Sequence, residues 1–326
     1  MSRVAGRPSR RIVMEAGELT LGRKAMEVLR VSYTLPFVLA SVTGVAFALT
    51  RVEEWFIGLL IPLDVLFLAL FVNLSNDYFD HKSGVDEVRF KGDPEFFEEA
   101  KRVMPERFYW TGNAFDEGIV SEKGGRALML SIAGIAILLA LPIVLYGGPV
   151  VIIMGGIAFF LALFYTAPPL RLGARGLGEL DVGVSFFLIS FFSYFVIDPR
   201  FSPEMMIIAV TVGLVMGIVR TVDEMSGYDA HLKLGERDLC VILGRERAIV
   251  LVAVLLAILY VISAAMAWFH PAYLLLLLGM PQGIKTVKVL RKNEDRFRFL
   301  RGAVEIMKVA LIHMILIIVA MIVQIF

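Results

Sequence analysis

The sequence has a single cysteine, Cys240, so no intramolecular disulfide can form, and that side chain reads as a small apolar residue. It is also poor in charge. Only 19% of its 326 residues are Asp, Glu, Lys or Arg, and the formal net charge is +1. A balance this close to zero says nothing about partners; the placement of the charges does. No short apolar core with a small-residue cleavage site follows the basic start MSRVAGRPSRR, so no cleavable signal peptide is expected. The residue-by-residue alternation of a membrane β-barrel is missing. No stretch has the make-up of a separate soluble domain.

Apolar length is what the chain has in abundance. It is 58% hydrophobic with a mean hydropathy of +0.77, whereas a soluble domain is roughly half apolar. Crossing a bilayer takes roughly 20 residues of helix, and helices satisfy their own backbone hydrogen bonds in lipid. Nine candidate spans lie near 31–50, 54–77, 127–146, 149–166, 180–197, 204–222, 248–269, 272–290 and 303–325. The eighth is the weakest: after LLLLLGMP it turns polar at Pro281-Gln282, so a broken or shallow segment is expected. The expected fold class is all-α, a polytopic membrane bundle of nine transmembrane helices forming one domain over 1–326.

Basic residues orient such a bundle. With the N-terminal tail taken as one side, 29 of the 32 Lys and Arg residues fall on that side. Only Arg51 and Arg200 fall on the other, and Lys308 lies inside the last span. The N-terminus is therefore expected in the cytoplasm, with 1–27 as a tail and 81–126 and 220–247 as cytoplasmic loops. FEEAKRVM in the first loop is expected to form a short surface helix. The outer connections are short, so chemistry is expected on the cytoplasmic side. The basic stretch KTVKVLRKNEDRFRFLRG reads as an anchor on anionic membrane lipid, and no nucleic-acid partner is expected.

The second span ends in NLSNDYFD. On a helix Asn73, Asn76, Asp77 and Asp80 fall within roughly a third of the circumference. Asp86 and Glu87 follow past Ser83-Gly84. Clustered carboxylates repel one another and resist desolvation. Mg2+ suits them as a hard cation that bridges carboxylates to phosphate, and Mn2+ is not distinguished from it. The plainer alternative is a solvated helix end. A second acidic group, Asp223, Glu224 and Asp229, closes the sixth span. On an unbroken helix Asp223 and Asp229 point about 120° apart, so a break at Gly227 is expected to bring Asp229 back. Between the two groups runs FYTAPPLRLGARGLGELDVG. Pro168-Pro169 ends a helix there, and glycine turns beside Arg171 and Arg175 suit phosphate oxygens.

Together these residues resemble the UbiA superfamily of intramembrane aromatic prenyltransferases. Asn73 and Asp77, with Asn76, Asp80 and Asp86, resemble its first motif, an Asn followed by Asp residues at four-residue spacing. NLSNDYFDHKSGVD and YTAPPLRLGARGLGEL are most similar to the menaquinone-type branch, with Ala167 where that branch has glycine. LRVSYTLP is similar to the start of the family's first helix. The second motif departs: Gly227 stands where an Asp is usual, Asp229 is displaced, and His231 falls where another acid is common. GERDLCVILG fits the downstream pattern loosely, with Asp238 in place of threonine.

The resemblance implies Mg2+-dependent transfer of a polyprenyl group from a polyprenyl diphosphate to a small aromatic quinone precursor, through an allylic cation. It implies a first metal site at Asn73, Asp77 and Asp80, helped by Asn76. Asp223 and Asp229 would form the second, with Glu224 as an alternative ligand. Lys82, Arg171 and Lys233 would hold the diphosphate, and Tyr165 would face the cation. His81 and His231 are expected to be no metal ligands, and His270 and His313 to be structural. Three other readings stay open: transfer to a glycerol-phosphate acceptor, a transporter built on intramembrane carboxylates, and a non-catalytic family member that only binds isoprenoid diphosphates.

Overall fold

The computed structural model describes residues 20–84, 94–103 and 113–324, and every regular element among them is helical. A short amphipathic helix, α1 (Leu21–Val28), is capped by the Thr20 hydroxyl. A 3₁₀ turn, Val31–Thr34, leads into α2 (Leu35–Leu49), with Pro36 in the first turn, where its missing N–H costs nothing. Next come the long α3 (Trp55–Ser83) and the surface helix α4 (Pro94–Val103), where a short helix was expected. The chain continues with α5 (Glu122–Gly147), α6 (Pro149–Phe164), α7 (Gly178–Ile197) and α8 (Pro203–Leu234). It closes with α9 (Leu239–Leu243), α10 (Arg245–Ala265), α11 (Met280–Leu290) and α12 (Arg298–Val323). Eight segments are long and apolar enough to cross a membrane, and α6, at 16 residues, is shorter. The chain is a multi-pass membrane protein.

In lipid, helices gain little from apolar burial and associate through close packing instead. The α2–α7–α8 centre shows this. A Cβ built on Gly44 of α2 would lie 2.0 Å from the Ser190 carbonyl oxygen of α7. One built on Gly213 of α8 would lie 2.4 Å from the Gly183 carbonyl oxygen. These glycines let the backbones touch, and the Ser41 and Ser193 hydroxyls meet across the α2–α7 seam at 2.9 Å.

The weak eighth span is broken as expected. Pro271–Gly279 is a 3₁₀ run, and only after Gly279 does the chain become α-helical as α11. The Tyr260 hydroxyl donates to the Gly279 carbonyl at 2.7 Å, so the junction keeps a backbone partner. The polar Gln282 is not wasted either: it donates to Glu305 of α12 at 2.6 Å. Glu305 also takes Lys285 at 2.9 Å and the intramembrane Lys308 at 2.7 Å.

One expectation about the backbone fails. α8 runs without a break through Gly227 and ends at Gly235, whose φ of 69° suits the left-handed cap. Gly227 instead makes room for His231 one turn later. A Cβ at Gly227 would sit 2.7 Å from the imidazole. Asp86 and Glu87 lie outside the described residues.

Candidate active site

A cavity of about 830 Å³ runs through the bundle, with a wall that is apolar over most of its length. At one end it is lined by Asn73, Asn76, Tyr165, Arg220 and Asp223. Along α3 the lining continues back to Ile61. Those 15 residues of helix make a path of about 22 Å at 1.5 Å per residue. The cavity therefore joins a polar head to a long greasy tail region.

The stripe at the end of α3 is held from three sides. Asp77 is buried and ion-paired with Arg30 at 2.7 Å. Asn73 donates to the Arg30 carbonyl at 3.4 Å. Arg30 itself adopts a left-handed backbone, φ 45°, at the corner between α1 and the 3₁₀ turn. The buried Asn113 donates to the Asp77 carbonyl at 2.7 Å, tying the first loop to the motif. The Thr166 hydroxyl donates to Asn76 Oδ1 at 2.9 Å, which joins the YTAPP segment to α3.

That segment turns sharply through the cis Pro168-Pro169 bond. Gly176 follows at φ 81°, and a Cβ there would lie 2.9 Å from the Arg237 carbonyl oxygen. The Arg237 amide in turn donates to the Ala174 carbonyl at 3.0 Å. Glu179, at the start of α7, accepts from the Leu239 amide at 2.8 Å. These contacts draw the α6–α7 and α8–α9 connections into one polar layer.

Arg220 is the centre of that layer. It reaches Asp223 at 2.8 Å and also pairs with Glu224. Its guanidinium lies 5.3 Å from the centre of the Tyr165 ring. Asp80, Asp223 and Glu179 all act electrostatically on the Tyr165–Arg220 pair. Buried Glu224, His231 and Asp238 form a compact cluster whose ligand-type atoms lie within 4.8 Å of one another. His231 Nδ1 lies 2.7 Å from Asp238 and 3.1 Å from Glu224. The nitrogen is engaged by Asp238, and Glu224 Oε2 lies beside His231 without a hydrogen bond.

The residues expected at the site fall into two groups. Asn73, Asn76, Tyr165 and Asp223 line the cavity; Asp77 and Asp80 belong to the same helix end as Asn73 and Asn76 but do not line it. Lys82, Arg171, Asp229 and Lys233 do not line it. Lys82 pairs with Glu122 at 2.8 Å, and Arg171 with Glu236 at 3.3 Å. Lys233 is exposed. Asp229 is 71% exposed and pairs with Arg245 at 2.9 Å, because the unbroken α8 carries it away from Asp223. Sequence reading passed over Arg30, Arg220, Asp64 and Asp181. Arg220 was legible, since it stands one turn before Asp223 and Glu224. Arg30 was not, because its partner is 47 residues away in sequence.

The geometry defines a class: a membrane-embedded helical bundle whose polar, acid- and arginine-bearing head opens into an apolar tunnel. Comparison with known proteins gives the family. Residues 35–312 match the UbiA prenyltransferase family, and the chain belongs to it. It is 24% identical over 253 residues to a 1,4-dihydroxy-2-naphthoate octaprenyltransferase of Bacillus subtilis, covering 73% of each chain. It is 25% identical over 269 residues to a 2-carboxy-1,4-naphthoquinone phytyltransferase of Synechocystis, covering 81% of each. In fold it is similar to a UbiA homologue of Archaeoglobus fulgidus solved with GPP and Mg2+. The TM-score is 0.59 at 16% identity, over 91% of this chain and 99% of that one. A UbiA homologue of Aeropyrum pernix gives a TM-score of 0.60 at 16% identity, over the same shares of the two chains. The protein is a prenyltransferase, and the transporter reading is set aside.

Proposed function

We propose that this chain transfers a polyprenyl group from a polyprenyl diphosphate to a naphthoate-type aromatic acceptor, with Mg2+ as the divalent ion. The carrying observation is the shape of the cavity: Asn73, Asn76, Arg220 and Asp223 at one end and, beyond them, about 18 Å of α3 wall that is apolar except for Asp64. A lipid tail with an anionic head needs both parts. The acceptor class rests on the names of the naphthoate prenyltransferase and phytyltransferase relatives.

The donor set fits a hard cation: its ligands at the cavity head are carboxylate and amide oxygens. Asn73, Asp77 and Asp80 would hold one ion, and Asp223 with Glu224 a second. Asp229 would join the second only by leaving Arg245. When bound, the ions neutralise charge on the departing diphosphate. Arg220 offers its guanidinium to the same oxygens. Lys82 at the end of α3, Arg171 in the α6–α7 connection and Lys233 at the end of α8 are the further diphosphate residues in this reading. The Tyr165 face, next to the head, favours the allylic cation. The allylic C1–O bond breaks with its electron pair going to diphosphate. A ring carbon of the acceptor then bonds to C1, and the ring loses a proton.

In this reading all nine apolar helices span the cell membrane, with the N-terminus and the polar head on the cytoplasmic side. The distribution of the basic residues supports it. The test is direct: purified protein is incubated with labelled geranylgeranyl diphosphate, 1,4-dihydroxy-2-naphthoate and Mg2+. A prenylated naphthalene product that disappears with EDTA is expected. Prenylation of a glycerol phosphate and of no naphthoate would overturn the acceptor, and no turnover with either would favour a binding-only protein.

A further inference from the structure

Most buried polar groups in this bundle have partners. Three atoms that do not have one belong to residues on the wall of the cavity head: Tyr165 Oη, Arg220 Nε and Asp181 Oδ1. Arg220 is otherwise bound to Asp223 and Glu224. Asp181 is different. Its side chain has no hydrogen bond or ion pair among the described residues, and the residue is only 7% exposed.

A carboxyl in the first turn of a helix has an ordinary explanation, since it complements the helix dipole and caps free N–H groups. That explanation is weak here. The N-terminus of α7 has no side-chain cap at all. The other acid of that turn, Glu179, points to the Leu239 amide. Asp181 instead lines the cavity, and Ser185 one turn later lines it too. Beyond Ser185 the wall of α7 is apolar at Leu188, Ile189 and Phe192, and the hydroxyl of Ser193 is already paired with Ser41. The unpartnered polar group on this wall is therefore the one beside the head.

Tyr165 fixes where that polar wall lies. A Cβ at Gly178 would be 3.6 Å from Tyr165 Oη, so the phenol sits over the first residue of α7. Asp181 is three residues on, on the same helix face and about 4.5 Å along the axis. A buried oxygen acceptor and a buried hydroxyl are thus stacked beside the head, both waiting for a ligand. A buried polar group without a partner is costly. A ligand carrying a hydroxyl would remove that cost.

We propose that Asp181 holds a ring hydroxyl of the aromatic acceptor, and that it is a catalytic residue of the transfer. The proposal rests on the functional reading above. The acceptor's O–H donates to the Asp181 carboxylate, which turns the electron-rich ring toward C1 of the donor. Once the C1–O pair has left with diphosphate, the ring carbon bonds to the allylic C1 and the hydroxyl proton passes to Asp181. The ring is then a ketone. The alkylated carbon gives its proton to the released diphosphate, the C–H electron pair restores the aromatic ring, and the oxygen takes its proton back from Asp181. Hydroxyl-bearing rings are then favoured over their ethers, because a site built around a hydroxyl discriminates strongly against ligands lacking it.

The experiment compares wild type with Asp181→Asn and Asp181→Leu, using 1,4-dihydroxy-2-naphthoate and its two monomethyl ethers with geranylgeranyl diphosphate. Wild type should prefer the dihydroxy acceptor to one of the ethers. In Asp181→Leu that preference should fall by about tenfold or more, and the acceptor KM should rise by a similar factor. The donor KM should stay within about twofold, because the tail and head contacts are untouched. Asp181→Asn, which keeps the shape, should lose kcat more than acceptor KM. An unchanged preference and acceptor KM in both variants would overturn the proposal. So would loss of donor binding in both, which would make Asp181 a structural residue. If wild type prenylates no hydroxylated ring at all, the functional reading itself has failed, and that is visible before any variant is made.

Discussion

Arg30 and Asp77 meet at 2.7 Å, and the aspartate of this pair is buried. The pair joins the corner before the first membrane helix to the acidic end of the second. Breaking a buried pair from one side leaves a charge without compensation, which costs about 3 kcal/mol. Arg30→Ala should therefore lower the melting temperature in detergent clearly. Adding Asp77→Asn to it should recover much of that loss while transfer stays depressed by about a hundredfold or more. A melting temperature for Arg30→Ala equal to wild type would show that the pair does not hold the corner.

Gly227 stands where the resemblance to the family leads one to expect an acid, yet placing Asp there should harm the protein. The new Cβ would meet the His231 ring at 2.7 Å, and that ring is pinned to Asp238 at 2.7 Å. Overpacking of this kind costs about 1–3 kcal/mol. Both Gly227→Ala and Gly227→Asp should lower the melting temperature, and His231→Ala should relieve the clash in the double variants. If Gly227→Asp melts like wild type, the glycine is not there for the histidine.

Cys240 is buried in α9, and burial, with the Asp238 charge as a smaller cause, pushes its thiol up to about 12. A free thiol titrates near 8.5. The folded protein thus keeps the thiol neutral, and this contribution to stability is full below about 8.5 and is lost as pH rises toward 12. Maleimide should leave the folded protein unlabelled at neutral pH and label it at once in SDS. Equal rates in the two conditions would contradict the burial.

The turn between α7 and α8 carries a pH response of opposite sign. Arg200 donates to both Asp198 oxygens, at 2.6 and 2.9 Å, and holds the carboxyl below its ordinary range. The stabilisation is present above the unfolded carboxylate pKa, about 4, and is lost as pH falls through the lower folded value. Between pH 5 and 3 wild type should lose more of its melting temperature than Asp198→Asn does. Parallel curves would show that the pair contributes nothing.

Much of this was legible in the sequence, and the residues show where legibility ends. Apolar runs gave the helices, because length and composition decide membrane insertion. NLSNDYFD gave the polar end of α3, because a helical stripe is a local property. The LLLLLGMP segment announced its own break through Gly279 and Pro281. Arg30 was hidden because its function depends on a distant contact. Gly227 was misread because glycine is permissive in isolation, and only the His231 ring beside it shows why it is small. Asp229 followed the same error, since its place depends on α8 staying whole. Asp181 gave no signal, because an acid at a helix start usually serves the helix.

The central claim is that the head of a prenyl diphosphate rests among Asn73, Asp77, Asp80, Arg220 and Asp223, with its tail along the α3 wall toward Ile61. An experimental structure with Mg2+ and a non-hydrolysable geranylgeranyl thiodiphosphate tests it most directly. The account predicts diphosphate density at that end of the cavity and the chain extending away from it between α3 and α7. Diphosphate density at the Ile61 end, or outside the cavity beside Lys233 and Asp229, would contradict it.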